Sequence, residues 1–122
     1  MKENSVQMAI LFDFYGEILT PKQREFFDLY HNEDLSLSEI AENANITRQG
    51  VRDVIVRGEA VLTEMEEKLG LADRVARLTG ALGEIRQAAE IIAMVNERRH
   101  LNAEIRDQAE RIIKLCSQGG ED

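Results

Sequence analysis

The stretch SLSEIAENANITRQGVRD, residues 36 to 53, decides the fold. Ser36-Leu37-Ser38-Glu39 is a capping box: a serine N-cap with a glutamate three residues on, each able to satisfy the other's backbone N–H. A helix therefore starts there, and Ile40, Ala41 and Ala44 give it a short apolar stripe. Asn45 stands where a tight interhelical turn needs a positive φ, which asparagine tolerates better than most residues. Thr47 then caps a second helix expected to carry Val51, Ile55, Leu62, Met65 and Leu69 inward, with Gly70 closing it. Two helices joined by so short a turn describe a helix-turn-helix. Ala41 is small where the helices would cross, and Ile40, Ile46, Val51 and Val54 fall where that motif buries apolar side chains.

Working outward toward the N-terminus, residues 3 to 15 read as a helix. Val6, Ile10 and Phe14 form its expected inner face, broadened by Met8, Leu11, Phe12 and Tyr15. Gly16 is expected to end it in a left-handed C-cap. Thr20 caps the next helix, with Pro21 at its first position and Glu25 in its first turns. That helix presents Phe26, Leu29 and Tyr30 and is expected to fray in His31-Asn32-Glu33-Asp34. Every aromatic residue lies between Phe12 and Tyr30, at helical spacings and in the most acidic third of the chain. That placement points to core and not to a base-stacking platform, which needs a basic surface.

Toward the C-terminus, Leu71, Val75, Leu78, Leu82, Ile85, Ala89, Ile92 and Asn96 follow a 4-3-4-3 pattern without a slip. Such a seam is coiled-coil-like, and a lone asparagine on it can specify register. Gly80 and Gly83 weaken the segment and could divide it into two helices. Asn102 is a fair N-cap for a last helix with Ile105, Ile112, Leu115 and Cys116 on its apolar side, and Ser117 to Asp122 read as a frayed tail. The expected organisation is all-α: a helix-turn-helix domain over 1–70 and a helical extension over 71–122. The extension's apolar stripe serves either packing within the chain or a homodimer interface.

Composition narrows the function. The 122 residues carry a formal net charge of −8, so the protein lacks the general attraction to phosphate that Lys and Arg confer. The acidity is uneven: residues 1–46 hold 3 basic and 9 acidic side chains, whereas residues 47–58 hold three arginines against Asp53 alone. One cysteine, Cys116, excludes an internal disulfide and a cysteine-based zinc site, and fits a reducing compartment. The N-terminal MKENSVQ has no signal-peptide apolar region, and the longest apolar run, Ile91 to Val95, is far too short to span a bilayer. The expectation is a cytoplasmic protein without membrane contact.

The outward side of the second helix offers Arg48, Gln49, Arg52, Asp53 and Val56, with Arg57 a turn later. The first residues of such a helix reach base edges in a major groove, where arginine suits guanine and glutamine suits adenine. Asp53 repels phosphate, although it could accept from a cytosine amine. The competing reading is a solvated face held by a Gln49–Asp53 hydrogen bond.

At this point a family resemblance emerges. LFDFY (Leu11 to Tyr15), LTPKQ (Leu19 to Gln23), SLSEIAE (Ser36 to Glu42), ITRQGVRD (Ile46 to Asp53) and EKLGL (Glu67 to Leu71) together resemble the YlxM family, small bacterial helix-turn-helix proteins encoded beside the signal recognition particle GTPase. Leu19 to Leu69 also resembles sigma-factor region 4, which reads promoter DNA. The resemblance implies a role in, or regulation of, the signal recognition particle pathway, with contacts made by Thr47, Arg48, Gln49, Arg52 and Asp53. Gly50 stands where the family commonly has alanine, and Arg52 where an aromatic is common.

Catalytic constellations are scarce. His31 and His100 are the only histidines, and Glu97-Arg98-Arg99-His100 is a single Glu-x-x-His motif where a di-iron bundle needs two with two further glutamates. No phosphate-binding glycine loop is present, and Cys116 lies on an apolar helix side. The reading is a non-enzymatic DNA-binding regulator without cofactor or metal, contacting nucleic acid through Ser36, Thr47, Arg48, Gln49, Arg52 and Arg57 and forming a homodimer. Its partners are expected to be DNA, or else the signal recognition particle RNA or GTPase. The alternative is a protein-interaction adaptor that uses the helix-turn-helix as scaffold.

Overall fold

In the computed structural model, which describes residues 4–119, the chain is all-α among those residues. The order is α1 (Ser5–Tyr15), a 3-10 turn (Gly16–Ile18), α2 (Pro21–Phe27), a π-helical turn (Asp28–Asn32), α3 (Leu37–Ala44), α4 (Arg48–Leu69), α5 (Leu71–Arg99) and α6 (Ala103–Gly119). Contacts divide the chain into two compact units, Met1–Ala72 and Asp73–Asp122.

In the first unit, α4 is the hub against which α1, α2 and α3 pack. Local chemistry sets the helix ends. Thr20 and Ser36 each form a complete capping box, with Gln23 and Glu39 respectively. Asn45 adopts φ 58°, ψ 43° and brings its N–H back to the α3 carbonyls, which turns the chain into α4. Gly70 closes α4 at φ 63°. Two apolar clusters fill the interior. Phe26, Tyr30, Leu37, Ile40, Ala41, Val51 and Ile55 make the helix-turn-helix core. Leu11, Tyr15, Leu19, Phe27, Leu62 and Ala72 make the second cluster, with Phe12 stacked on Phe27 at 4.9 Å.

The structure corrects several expectations. α1 turns Met8, Leu11, Phe12 and Tyr15 into the second cluster, while Val6, Ile10 and Phe14 face outward. Gly16 is right-handed at φ −57°, and a Cβ there would stand 3.2 Å from the Phe12 ring, a tight approach that glycine avoids. His31 does not fray. The π turn carries it into the interior beside Tyr30, and only from Glu33 does the helix end. Ile46 and Leu69 are exposed, and Val54 is only half-buried. The expected start of α1 at residue 3 lies outside the described residues.

A hydrogen-bonded clamp ties α1 to the start of α5. The Tyr15 hydroxyl donates to Glu66 Oε1 at 2.6 Å and accepts from the Leu71 N–H at 3.1 Å, and Glu66 Oε1 also accepts from the Ala72 N–H at 3.0 Å. Burial, then the bond to Glu66, holds the Tyr15 phenol above its ordinary pKa. The folded state thus keeps this proton more tightly than the unfolded chain. Its contribution is whole below the ordinary phenol value of 10.0 and is lost as pH climbs from there through the raised value. Tyr15→Phe is expected to lower the urea midpoint at neutral pH with an unchanged slope, and to flatten this alkaline decline. Urea unfolding at pH 7 and above pH 10 checks both.

In the second unit, Gly80 and Gly83 do not interrupt α5, which runs unbroken to Arg99. The buried apolar residues there are small, Ala89, Ala109 and Cys116. Asn96 is buried for a different reason from coiled-coil register. Its side chain donates to the Asn102 carbonyl and accepts from the Asn102 N–H, both at 2.9 Å, and so pins the turn in which His100 takes φ 51°. Asn102 caps α6 through the Glu104 N–H at 2.7 Å. Ser117 continues α6, bonding the Ile113 carbonyl, so the expected tail is helical to Gly119; residues 120–122 of that tail lie outside the described residues.

Candidate nucleic-acid interface

The site is built on the helix-turn-helix. Buried Val51 and Ile55 fix the rotation of α4, because both are fully enclosed by α2 and α3 residues of the first cluster. Helical geometry then places the rest. At about 100° per residue, Gln49, Asp53 and Val56 occupy the middle of the outward arc. Arg48 and Arg52 border it on one side, and Arg57 lies about half a turn round from Arg48, on the other. All of these side chains are exposed. The arginines therefore do not form one continuous strip; they flank a polar centre.

Hydrogen bonding orders that centre. Gln49 Nε2 donates to Asp53 Oδ1 at 2.9 Å, as the i,i+4 spacing suggested. Thr47 Oγ1 accepts from the Gly50 N–H at 3.0 Å and starts the helix. A Cβ on Gly50 would stand 3.1 Å from that oxygen, so glycine there leaves the cap undisturbed. Ser36 is exposed, and its hydroxyl is occupied by the Glu39 N–H at 3.1 Å. Among the described residues, Arg48, Arg52 and Arg57 form no ion pair. Three unpaired guanidinium groups on a molecule of charge −8 are a local concentration of available cation.

Sequence reasoning missed the buried polar centre of the same unit. The His31 ring lies between Ser5 Oγ, 2.7 Å from Nδ1, and Glu59 Oε2, 2.7 Å from Nε2. It packs on Phe27 at 4.5 Å and edge-on to Tyr30 at 5.0 Å. The only signal was the Phe27–His31 spacing of four; nothing in sequence marks Ser5 or Glu59 as its partners. A serine, a histidine and a glutamate in series have the parts of a nucleophile relay, but the ring is fully enclosed. No group of three or more His, Cys, Asp or Glu side chains converges for a metal among the described residues. No helix among them is long and apolar enough to cross a membrane.

A helix packed in this way behind an outward polar arc defines a helix-turn-helix protein. Residues 2–115 match the family described as "Putative helix-turn-helix protein, YlxM / p13 like". UPF0122 proteins of Bacillus cereus (strain Q1), Bacillus anthracis (strain A0248) and Bacillus thuringiensis subsp. konkukian (strain 97-27) are each 41% identical over 115 residues, covering 94% of this chain and 99% of the relative. The chain belongs to the UPF0122 family.

Proposed function

We propose that this protein is a dimeric, non-enzymatic regulator that binds nucleic acid through the outward arc of α4 and acts in, or on, the signal recognition particle pathway. The observation that carries the binding is the set of unpaired arginines bordering Gln49 and Asp53. Cations at both borders suit the phosphates that wall a groove, and the polar centre suits base edges. Thr47 and Ser36 serve chiefly to fix the two helix starts. DNA is the favoured ligand because a helix with its N-terminal residues exposed fits a major groove. The signal recognition particle RNA and its GTPase are the other partners to be tested, in the cytoplasm. The dimer rests on the large apolar side chains that α5 leaves exposed.

Arg52→Ala is the direct test, since Arg52 is exposed and its loss is expected to leave stability nearly unchanged. In this reading Arg52 meets phosphate, so binding falls on all sequences alike and the salt slope drops by about one. A loss of about 1–3 kcal/mol confined to one position of a site would instead make it a base contact. Asp53→Asn is expected to strengthen nonspecific binding by removing a repulsive charge. Fluorescence anisotropy with duplex DNA and with the signal recognition particle RNA, at two salt concentrations, reads each effect. If neither ligand binds the parent protein at low salt, while Arg52→Ala abolishes capture of the GTPase, the adaptor reading replaces this one.

A further inference from the structure

α1 is apolar on both sides. Its inner side fills the second cluster, and its outer side presents Val6, Ile10 and Phe14 at successive four-residue steps, extended by Ile18 in the 3-10 turn. Val6 is 79% exposed and Ile18 54%. A helix that is apolar all round belongs between two partners, and the first unit supplies only one. The stripe runs into an open cleft of about 640 Å³ whose walls include Phe14, Ile18, Asp13 and Glu17. Both carboxylates are exposed, and neither has an ion-pair or hydrogen-bond partner among the described residues. Arg24 lines the same cleft, its Nε held by the Gly16 carbonyl at 3.2 Å.

We propose that this face docks a basic amphipathic helix of another protein, whose apolar side lies on Val6, Ile10 and Phe14 and whose Lys or Arg side chains meet Asp13 and Glu17. Charge selects this occupant. A second copy docking α1 on α1 would be isologous and would bring together two N-terminal regions of the same acidity, each with 3 basic and 9 acidic side chains over residues 1–46. The second unit of another copy is poorly suited too, because residues 73–122 hold 8 basic against 9 acidic side chains and so offer no excess of cation. Arg77, Arg86 and Arg106 each lie beside a carboxylate of their own helix. A foreign helix with unpaired cations gains from the net acidity of residues 1–46. Laying an apolar helix side on such a stripe is a common mode of peptide recognition.

The test uses the full chain and two labelled peptides of about 14 residues, roughly four turns. One alternates Leu and Lys in an amphipathic helical pattern; the other replaces every Lys by Glu. The Lys peptide is expected to bind and the Glu peptide to bind at least about tenfold more weakly. Asp13→Lys with Glu17→Lys should weaken the Lys peptide about tenfold, and Ile10→Asn should do so with unchanged far-UV circular dichroism. The control is Glu42→Lys with Glu104→Lys, which changes net charge equally at exposed carboxylates that belong to neither the stripe nor the cleft. Equal losses from the two double reversals would reduce the effect to general charge attraction and overturn the proposal. So would an unchanged affinity in Ile10→Asn. A fall in oligomeric mass in Ile10→Asn would assign the stripe to a second copy, also overturning it.

Discussion

The double substitution Leu78→Asp with Ile85→Asp is expected to convert the proposed dimer to a monomer without unfolding the first unit. Both residues lie on the 4-3-4-3 seam of α5, and the single chain leaves them 58% and 49% exposed, with Ile92 at 47%. Ile105, Ile112 and Leu115 of α6 are exposed as well. The second unit buries alanines and a cysteine and leaves its branched side chains in water, the reverse of a stable core. In the proposed dimer these exposed apolar side chains form the interface, although Ala89 and Asn96 of the same seam are already buried within the chain. Each buried Leu or Ile contributes about 1.5–3 kcal/mol, and a twofold interface counts each substitution twice. Four introduced carboxylates should therefore raise the dissociation constant by about a thousandfold or more. Light scattering at micromolar concentration reads the outcome directly. A monomer mass for the parent protein refutes the dimer. Loss of helicity in the variant would instead show that the seam packs within the chain.

How much of this was legible in the sequence follows from where the determining physics lies. The capping box at Ser36, the cap at Thr20, the left-handed Asn45 and the closing Gly70 are settled within four residues of backbone, and each was readable as a local bond or a local φ. The reciprocal bond from Gln23 that completes a box at Thr20 was not read. The Gln49–Asp53 hydrogen bond was readable for the same reason. The inner face of α1 was not. With apolar residues on opposite sides, periodicity offers two answers, and only packing against Phe27 and Leu62 chooses between them. Gly16 looked like a left-handed cap because glycine permits that conformation, whereas the close approach of the Phe12 ring follows from the orientation in which Phe12 stacks on Phe27. Asn96 fell on the heptad seam by spacing, but its amide is spent on the Asn102 backbone, a turn contact that no heptad count contains. The outward arc of α4 is intermediate. Its residues were named from spacing alone, yet the separation of Arg57 from Arg48 and Arg52 emerges only once Val51 and Ile55 fix the rotation of the helix.

His31→Ala is expected to cost about 2–4 kcal/mol of stability, a large fraction of what a domain this size possesses. The ring is fully enclosed, so its removal leaves a cavity beside Phe27 and Tyr30. It also strands two polar groups. Ser5 Oγ loses its partner at the start of α1, and Glu59, whose side chain is only 16% exposed, loses the imidazole 2.7 Å away. An unsatisfied buried polar group costs more than a hydrogen bond gains, and a carboxylate more than a neutral group. His31 thus joins the start of α1, the π turn and the middle of α4, at Glu59, two residues beyond Arg57 and about two turns beyond Arg52. A double-mutant cycle separates the cavity from the bonds. Glu59→Ala alone removes the charge and its acceptor, so in the His31→Ala background it should cost much less than in the parent, giving a coupling of about 1–3 kcal/mol. Strict additivity, measured by urea unfolding, would show that the Glu59 bond contributes nothing to what His31 supplies. The same cycle tests the rotation of α4: if the Glu59 bond helps to hold it, nucleic-acid affinity should fall in His31→Ala under conditions where the variant remains folded, although the ring lies far inside the exposed arc.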